Sequence, residues 1–330
     1  MKVLVMTSRA RVEKFYDLSA LPRDWELTFV GSFPSPETVR AAGADADFIF
    51  ADAVSNIGAE ILDALPKLKL IHSEGVGYNG IDVRAAAQRG IHVCNHVAVN
   101  SGAVAEHAIL LMLAVMRRVL EGDAMVRAGE QIEAKERFIL DEIPELGACS
   151  VGLVGFGAIG RETAKRLRGF GSAVYYCNRR RAPAEVEAEC GASHLDRDAL
   201  FASCDIVSLH LPANAETAGI IDRAALARFK PGALLINTAR GELIDQEALA
   251  EALTQGQLGG AGLDTLSPEP VRADNPLLRL PDACRYKLVF SPHIGGTTKQ
   301  CFLRAHRDVW QNFLDAAAGR KPKNIVNDWA

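Results

Sequence analysis

Ten residues, Val151-Gly-Leu-Val-Gly155-Phe-Gly157-Ala-Ile-Gly160, restrict the fold of this chain more than any others. An apolar run suited to a buried strand passes straight into G-x-G-x-x-G, and helical periodicity follows from Arg161 to Phe170. In such a turn the first glycine permits the tight bend and the second lets the backbone approach a pyrophosphate. The third lets the helix pack on the strand, while the helix N-terminus offers unpaired N–H groups and its positive dipole end to the phosphates. The pattern is common by itself; its strand–turn–helix setting gives it weight. It predicts a dinucleotide site on Gly155, Gly157, Ala158, Ile159 and Gly160.

A second strand, Ala173–Cys177, ends at Asn178, where an NAD site usually carries an Asp or Glu for the ribose 2′-OH. Here the chain reads Asn178-Arg179-Arg180-Arg181. A carboxylate would repel a 2′-phosphate, whereas an amide followed by guanidinium groups attracts one. The expected cofactor is therefore NADP(H) in preference to NAD(H), with NAD(H) still admissible, and Asn178, Arg179 and Arg180 as its phosphate contacts.

The 330 residues, 48% of them hydrophobic, suffice for two domains with their own cores. A net charge of −4 argues against nucleic acid or an anionic membrane as partner. The seven cysteines are scattered without a C-x-x-C pair and read as core residues in a reducing cytoplasm, and no zinc-ligand spacing appears. The most apolar run, Ala103 to Met116, holds Glu106 and His107 and is too short to span a bilayer. Strands are expected at Lys2–Thr7, Asp47–Ala51, Leu68–Ser73 and Ile91–Cys94, then a long helix through Ala103–Arg118 with Ser101 as N-cap. The stretch Glu121–Gly147 reads as helix and then loop. Six more strands follow, at Ser150–Val154, Ala173–Cys177, Asp205–Leu209, Ala233–Asn237, Gly260–Asp264 and Leu288–Ser291, before a terminal amphipathic helix, Thr297–Ala318. Alternating strands and helices imply α/β architecture with parallel, doubly wound sheets.

Three polar residues lie just past successive strands, where open α/β sheets bind ligands. They are Arg240 in Asn237-Thr-Ala-Arg-Gly241, Glu269 in Ser267-Pro-Glu-Pro270, and His293 in Ser291-Pro-His-Ile-Gly-Gly296. Each alone has an ordinary explanation as a solvated arginine, a turn acid or a structural histidine. Together they suit hydride transfer to a 2-oxo acid. The arginine holds the carboxylate and polarises the carbonyl, the histidine gives the alkoxide its proton, and the glutamate fixes the imidazole tautomer.

With these motifs in order, the chain resembles the D-isomer-specific 2-hydroxyacid dehydrogenase family. The likeness runs through Gly75-Val-Gly-Tyr-Asn-Gly-Ile-Asp82, Asn100, Val104-Ala-Glu106, Gly155–Gly160, Leu209-His-Leu-Pro212, Asn237–Gly241, Gly262-Leu-Asp264, Pro268–Pro270 and Ser291–Gly296. The resemblance implies Arg240, Glu269 and His293 as the catalytic set. It implies further cofactor contacts at Leu211, Pro212, Thr217, Thr238, Ala239, Asp264 and Gly295. Substrate binding falls to the main chain of Gly75, Val76 and Gly77, with Arg240 and His293. It also implies a Rossmann-type cofactor domain, 100–293, inserted into a flavodoxin-like substrate domain of residues 1–99 and 294–330, and a homodimer formed through the long helix and the segment after it.

Three departures stand out. His96-Val-Ala-Val99 replaces the Pro-Gly that often precedes Asn100. Glu74 puts an acid beside the carboxylate-binding loop; it either faces away from that loop or selects substrates with a cationic or hydrogen-bonding group. Asn178 replaces the ribose-binding acid, as in NADP-dependent glyoxylate/hydroxypyruvate reductases, which favours reduction of a small 2-oxo acid to a D-2-hydroxy acid. The competing enzyme reading is NAD(P)-dependent oxidation of a D-2-hydroxy acid such as D-lactate or D-glycerate. A dinucleotide-sensing corepressor is the non-enzymatic alternative. Glu74, Tyr78 and residues 136–138 are expected to shape the pocket for the substrate side chain.

Overall fold

The computed structural model describes residues 1–32 and 34–328. The chain divides into two compact units, Met1–Asn100 with the chain from Thr297 onward, and the contiguous Ser101–Gly296.

The first unit is built on five parallel strands: β1 (Lys2–Met6), β2 (Glu26–Phe29), β3 (Phe48–Ala51), β4 (Leu70–Ser73) and β5 (His92–Cys94), in the order β2-β1-β3-β4-β5. β3 and β4 are buried on both faces, as helix-covered parallel strands are; β3 is an unbroken apolar run, while β4 carries the buried His72. β2 was not expected from the sequence: as an edge strand it alternates exposed and half-buried residues and lacks a full apolar run. The helix Lys299–Ala317 covers this sheet, burying Val309, Trp310 and Phe313 against Val3, Val5, Phe48 and Phe50. The tail then reaches β5, where Val326 N–H donates to the Val93 carbonyl at 2.8 Å and Asn327 Oδ1 accepts from Val93 N–H at 2.9 Å.

The second unit has seven parallel strands rather than the six expected: β6 (Ser150–Val154), β7 (Ala173–Cys177), β8 (Ala192–His194), β9 (Ile206–Leu209), β10 (Ala233–Asn237), β11 (Leu258–Leu263) and β12 (Leu288–Phe290). Their order is β12-β11-β10-β9-β6-β7-β8, so the winding direction reverses between β6 and β9. β8 is a three-residue edge strand, and the helix before it, Ala184–Cys190, carries three glutamates that hid its apolar face. The long helix spans Ser101–Met116, with Ser101 as its first turn rather than its cap, and buries nine side chains. Past it, two helices, Val119–Arg127 and Gln131–Leu140, occupy the stretch expected to end as loop. Among the described residues no helix is long and apolar enough to cross a membrane.

Candidate active site

β6 passes into the helix Ala158–Phe170 through Gly155–Gly157. Gly155 has φ +101°, and a Cβ there would lie 2.4 Å from the His210 carbonyl oxygen, so both angle and space require glycine. Gly160 is closed off in the same way by the Gly155 carbonyl oxygen, again at 2.4 Å. Around Gly157, the N-cap, no atom lies within 4 Å of a would-be Cβ. Two glycines are thus demanded by the fold, and the middle one borders open space at a helix N-terminus beside the strand-order reversal. That cradle fits a dinucleotide pyrophosphate. Thr238 agrees with it, being 7% exposed with an Oγ1 that has no hydrogen-bond partner among the described residues. The neighbouring turn is fixed by Thr217, whose hydroxyl donates to the Pro212 carbonyl at 2.7 Å.

The three candidate catalytic residues leave three adjacent strands. Arg240 follows β10, where Asn237 shapes the exit: its Oδ1 accepts from Ala239 N–H at 3.0 Å and its amide donates to the Arg240 carbonyl at 2.8 Å. Gly241 lets this loop meet the one after β11, since a Cβ there would sit 2.2 Å from the Leu266 carbonyl carbon. Along that second loop the Ser267–Pro268 and Glu269–Pro270 bonds are cis, and Glu269 extends to His293, beyond β12. The two carboxylate oxygens of Glu269 lie 2.7 and 2.9 Å from His293 Nδ1. With Nδ1–H donated to the carboxylate, Nε2 is the ring nitrogen left for a substrate. Both side chains are part-exposed, as groups that must reach a substrate require. Arg240 Nη1 donates to the Ala239 carbonyl at 2.7 Å.

His293 sits at φ +56°, a left-handed conformation that costs a non-glycine residue energy and persists only where its surroundings impose it. Asp264 does so. Its carbonyl accepts from His293 N–H at 2.9 Å, and its carboxylate accepts from the N–H groups of Ile294 and Gly295 at 2.9 and 2.8 Å. Ser291 Oγ donates to the same carboxylate at 2.5 Å, and His107 Nε2, from the long helix, lies 2.7 Å from Ser291 Oγ. Burial alone would raise the Asp264 carboxyl; hydrogen bonds from His107, Ser291, Ile294 and Gly295 outweigh it and hold the group well below the usual carboxylate range. Asp264 and Gly295 therefore sit in the frame that sets the imidazole. His107 and Ser291 were missed from sequence, because a histidine inside an apolar helix gives no sign of its partner 184 positions on.

At the expected ribose end, Asn178 donates to the Arg180 carbonyl at 3.3 Å. Arg181 is committed elsewhere: Nε and Nη2 both donate to Glu187 at 2.9 Å, and Arg181 and then Tyr176 hold that carboxyl down to about 2. Among the described residues Arg179 meets only the exposed Glu216, at 3.2 Å, an ion pair that solvent weakens.

Comparison with known proteins agrees with this arrangement. Residues 109–295 match the model of the D-isomer specific 2-hydroxyacid dehydrogenase NAD binding domain. The chain is 36% identical over 318 residues to a glyoxylate reductase of Thermococcus litoralis, covering 96% of this chain and 92% of that one. This chain belongs to the D-isomer-specific 2-hydroxyacid dehydrogenase family. A D-3-phosphoglycerate dehydrogenase of Mycobacterium tuberculosis is 39% identical over 310 residues, 94% of this chain but only 56% of that longer protein. The crystal structure of a glyoxylate reductase from Paecilomyes thermophila superposes with a TM-score of 0.81 at 30% identity, covering 100% of this chain and 99% of the other. The chain is accordingly an NAD(P)-dependent 2-hydroxyacid dehydrogenase whose relatives include 2-oxo acid reductases.

In this dehydrogenase the Gly75–Gly77 loop follows β4 in the first unit. Gly75 N–H donates to Ser73 Oγ at 3.3 Å, and Ser73 Oγ donates to the Gly77 carbonyl at 2.7 Å. Asn95 donates to the Val76 carbonyl at 2.8 Å. Glycine is needed at 75 because a Cβ would lie 2.6 Å from the Ala53 Cβ, a packing reason added to the open approach expected from sequence. Glu74 faces away from the loop: its side chain is 2% exposed and bonds Arg11 and His306. It therefore does not shape a substrate pocket. Phe138 lies under the guanidinium groups of Arg118 and Arg137.

Proposed function

We propose that this dehydrogenase reduces a small 2-oxo acid of the glyoxylate or hydroxypyruvate type to the D-2-hydroxy acid, with NADPH as reductant. The observation that carries the reading is the Glu269–His293 pair at 2.7 Å, set on a backbone that Asp264 forces into shape, one strand away from the Arg240 loop. NADPH supplies the hydride when bound, and the main chain around Gly155, Gly157, Ala158, Ile159 and Gly160 would hold its pyrophosphate, with Leu211, Pro212, Thr217, Thr238 and Ala239 lining the rest of its path. Arg240 holds the substrate carboxylate and draws charge toward the carbonyl oxygen. His293 then gives its Nε2 proton to that oxygen as negative charge develops there, while Glu269 keeps Nδ1 protonated and stabilises the imidazolium before transfer. Main-chain N–H groups of Val76 and Gly77 bind the carboxylate in the first unit.

The phosphate preference is supported by Arg181 being tied to Glu187 while Arg179 has only a weak surface partner, which leaves Arg179, Arg180 and the Asn178 amide for a 2′-phosphate. The 39% identity to a phosphoglycerate dehydrogenase favours a second reading, oxidation of a D-2-hydroxy acid. A panel of 2-oxo and D-2-hydroxy acids assayed with NADPH, NADH, NADP and NAD separates the two. NADH-specific turnover, or activity only in the oxidising direction, overturns the first.

The working unit in this reading is a homodimer. Leu110, Val119, Leu120, Val126, Ile139 and Leu140 are exposed apolar side chains on the long helix and the two after it, and a second copy covers such a surface. Sedimentation at low concentration tests this, and a monomer there would refute it. The seven free, buried cysteines fit a reducing cytoplasm.

A further inference from the structure

The acid that departs from the family pattern, Glu74, lies in a network no part of the chemistry above uses. Glu74 directly precedes Gly75, and its carboxylate accepts from Arg11 Nη2 at 2.5 Å and from His306 Nε2 at 2.8 Å. The side chains of Glu74 and His306 are 2% and 0% exposed. Arg11 has a second anchor: Nη1 donates to Asp52 at 2.9 Å. Asp52 directly precedes Ala53, the residue packed against Gly75. One guanidinium thus joins the two chain segments that enclose Gly75, and its planar fork suits that bridging. His306 is seated among Phe15, Phe50 and Phe302, with ring centroids 5.5, 5.2 and 6.1 Å away, so it cannot follow a moving carboxylate. On the far side, the Gly75 carbonyl accepts from His96 N–H at 3.2 Å.

We infer that Glu74, Arg11 and His306 are positioning residues that fix the Gly75–Gly77 loop for the substrate carboxylate. The inference rests on the proposed role of that loop. Sequence alone shows Glu74 as an acid beside a loop expected to bind an anion; in the structure its carboxylate is buried between a guanidinium and an imidazole and turned to mechanical use. A buried pair of this kind is weak evidence for stability by itself, which is why a role in geometry has to be tested separately.

The sign of one substitution decides between the two. If Glu74 acted only through its charge, Glu74→Gln would remove a negative group behind an anion-binding loop and lower the KM for the 2-oxo acid. Positioning predicts the opposite: KM for glyoxylate and hydroxypyruvate rises roughly tenfold or more, since small misplacements of binding groups are costly. The KM for NADPH stays within twofold and kcat falls by less than KM rises. Arg11→Lys, at a part-exposed side chain, keeps the charge but loses the fork and shifts the same KM in the same direction. Gly77→Ala in the full chain tests the loop independently. A raised KM in Gly77→Ala with no rise in Glu74→Gln or Arg11→Lys overturns the positioning role alone. An unchanged KM in Gly77→Ala overturns the loop's role and this inference with it. A drop in melting temperature with all KM values unchanged makes the network merely structural and overturns the inference.

Discussion

The two α/β units hold their candidate binding loops by opposite means. In the second unit the groups held are mainly backbone, with the Asp264 carboxylate as their side-chain anchor. Gly155 at φ +101° and His293 at φ +56° are placed by main-chain hydrogen bonds and close carbonyl approaches, and Asp264 fastens the turn after β12 through amides. In the first unit the Gly75 loop is held from behind by side chains: two carboxylates just past β3 and β4, a guanidinium from the helix Arg9–Phe15 and an imidazole from the helix Lys299–Ala317. Backbone-held sites leave short local signatures in a sequence. Side-chain-held sites leave single residues that acquire meaning only when they meet.

The sharpest way to break this comparison is in the second unit. His293→Ala removes the proton donor and should lower kcat for 2-oxo acid reduction by about 10²- to 10⁴-fold. Single-turnover measurement with NADPH checks it, and a variant that keeps full turnover ends the acid–base role. Arg240→Gln should cost on the order of 10²-fold in kcat/KM through lost charge at the carboxylate and carbonyl. Steady-state kinetics read that loss, and Arg240→Lys should recover only part of it because the fork is gone. Asn178→Asp restores a carboxylate at the ribose and should move the NADPH/NADH ratio of kcat/KM toward NADH by about tenfold, roughly 1.4 kcal/mol. An unchanged ratio would place the phosphate elsewhere.

The smallest effect sharpens the contrast through acid. In the first unit, burial and then the neighbouring His96 hold His72 down to about 3, and burial holds His96 down to about 4. The second unit carries one such group, His210, held by burial at about 4. A neutral buried histidine with a folded value below its ordinary 6.5 binds fewer protons than when unfolded. Its contribution to stability is complete above about 6.5, declines as pH falls, and is lost through the folded value. The first unit, with two such groups, should therefore weaken first between pH 6.5 and 4. No tryptophan lies between residues 101 and 296, so tryptophan emission reports the first unit alone. Emission that changes only together with far-UV ellipticity of the whole chain would contradict the ordering.

Legibility followed the same division. The strand Ser150–Val154 and its glycine turn were readable to the residue, because apolar run, bend and helix are contiguous. Arg240, Glu269 and His293 were readable as a set from their places after successive strands, and the structure pairs the last two directly. The edge strands β2 and β8 were not, being short and only half-buried. The helix at Gln131–Leu140 escaped, and the one at Val119–Arg127 was legible only as a helical stretch without bounds, because their large apolar residues are mostly exposed and mark no single buried face. Glu74 was visible as an anomaly, yet its partners Arg11 and His306 stand 63 and 232 positions away, and nothing local names them.

The long helix near the C-terminus has a consequence for how the molecule is made. Phe48 and Phe50 are shielded by Trp310 and Phe313, so the first hundred residues emerge from the ribosome with their sheet uncovered on one side. The contiguous stretch Ser101–Gly296 has no such debt and can complete its core while synthesis continues. The first unit thus completes its core after the one translated behind it has had the chance to, and during that interval its aromatic face is the one a chaperone would shelter.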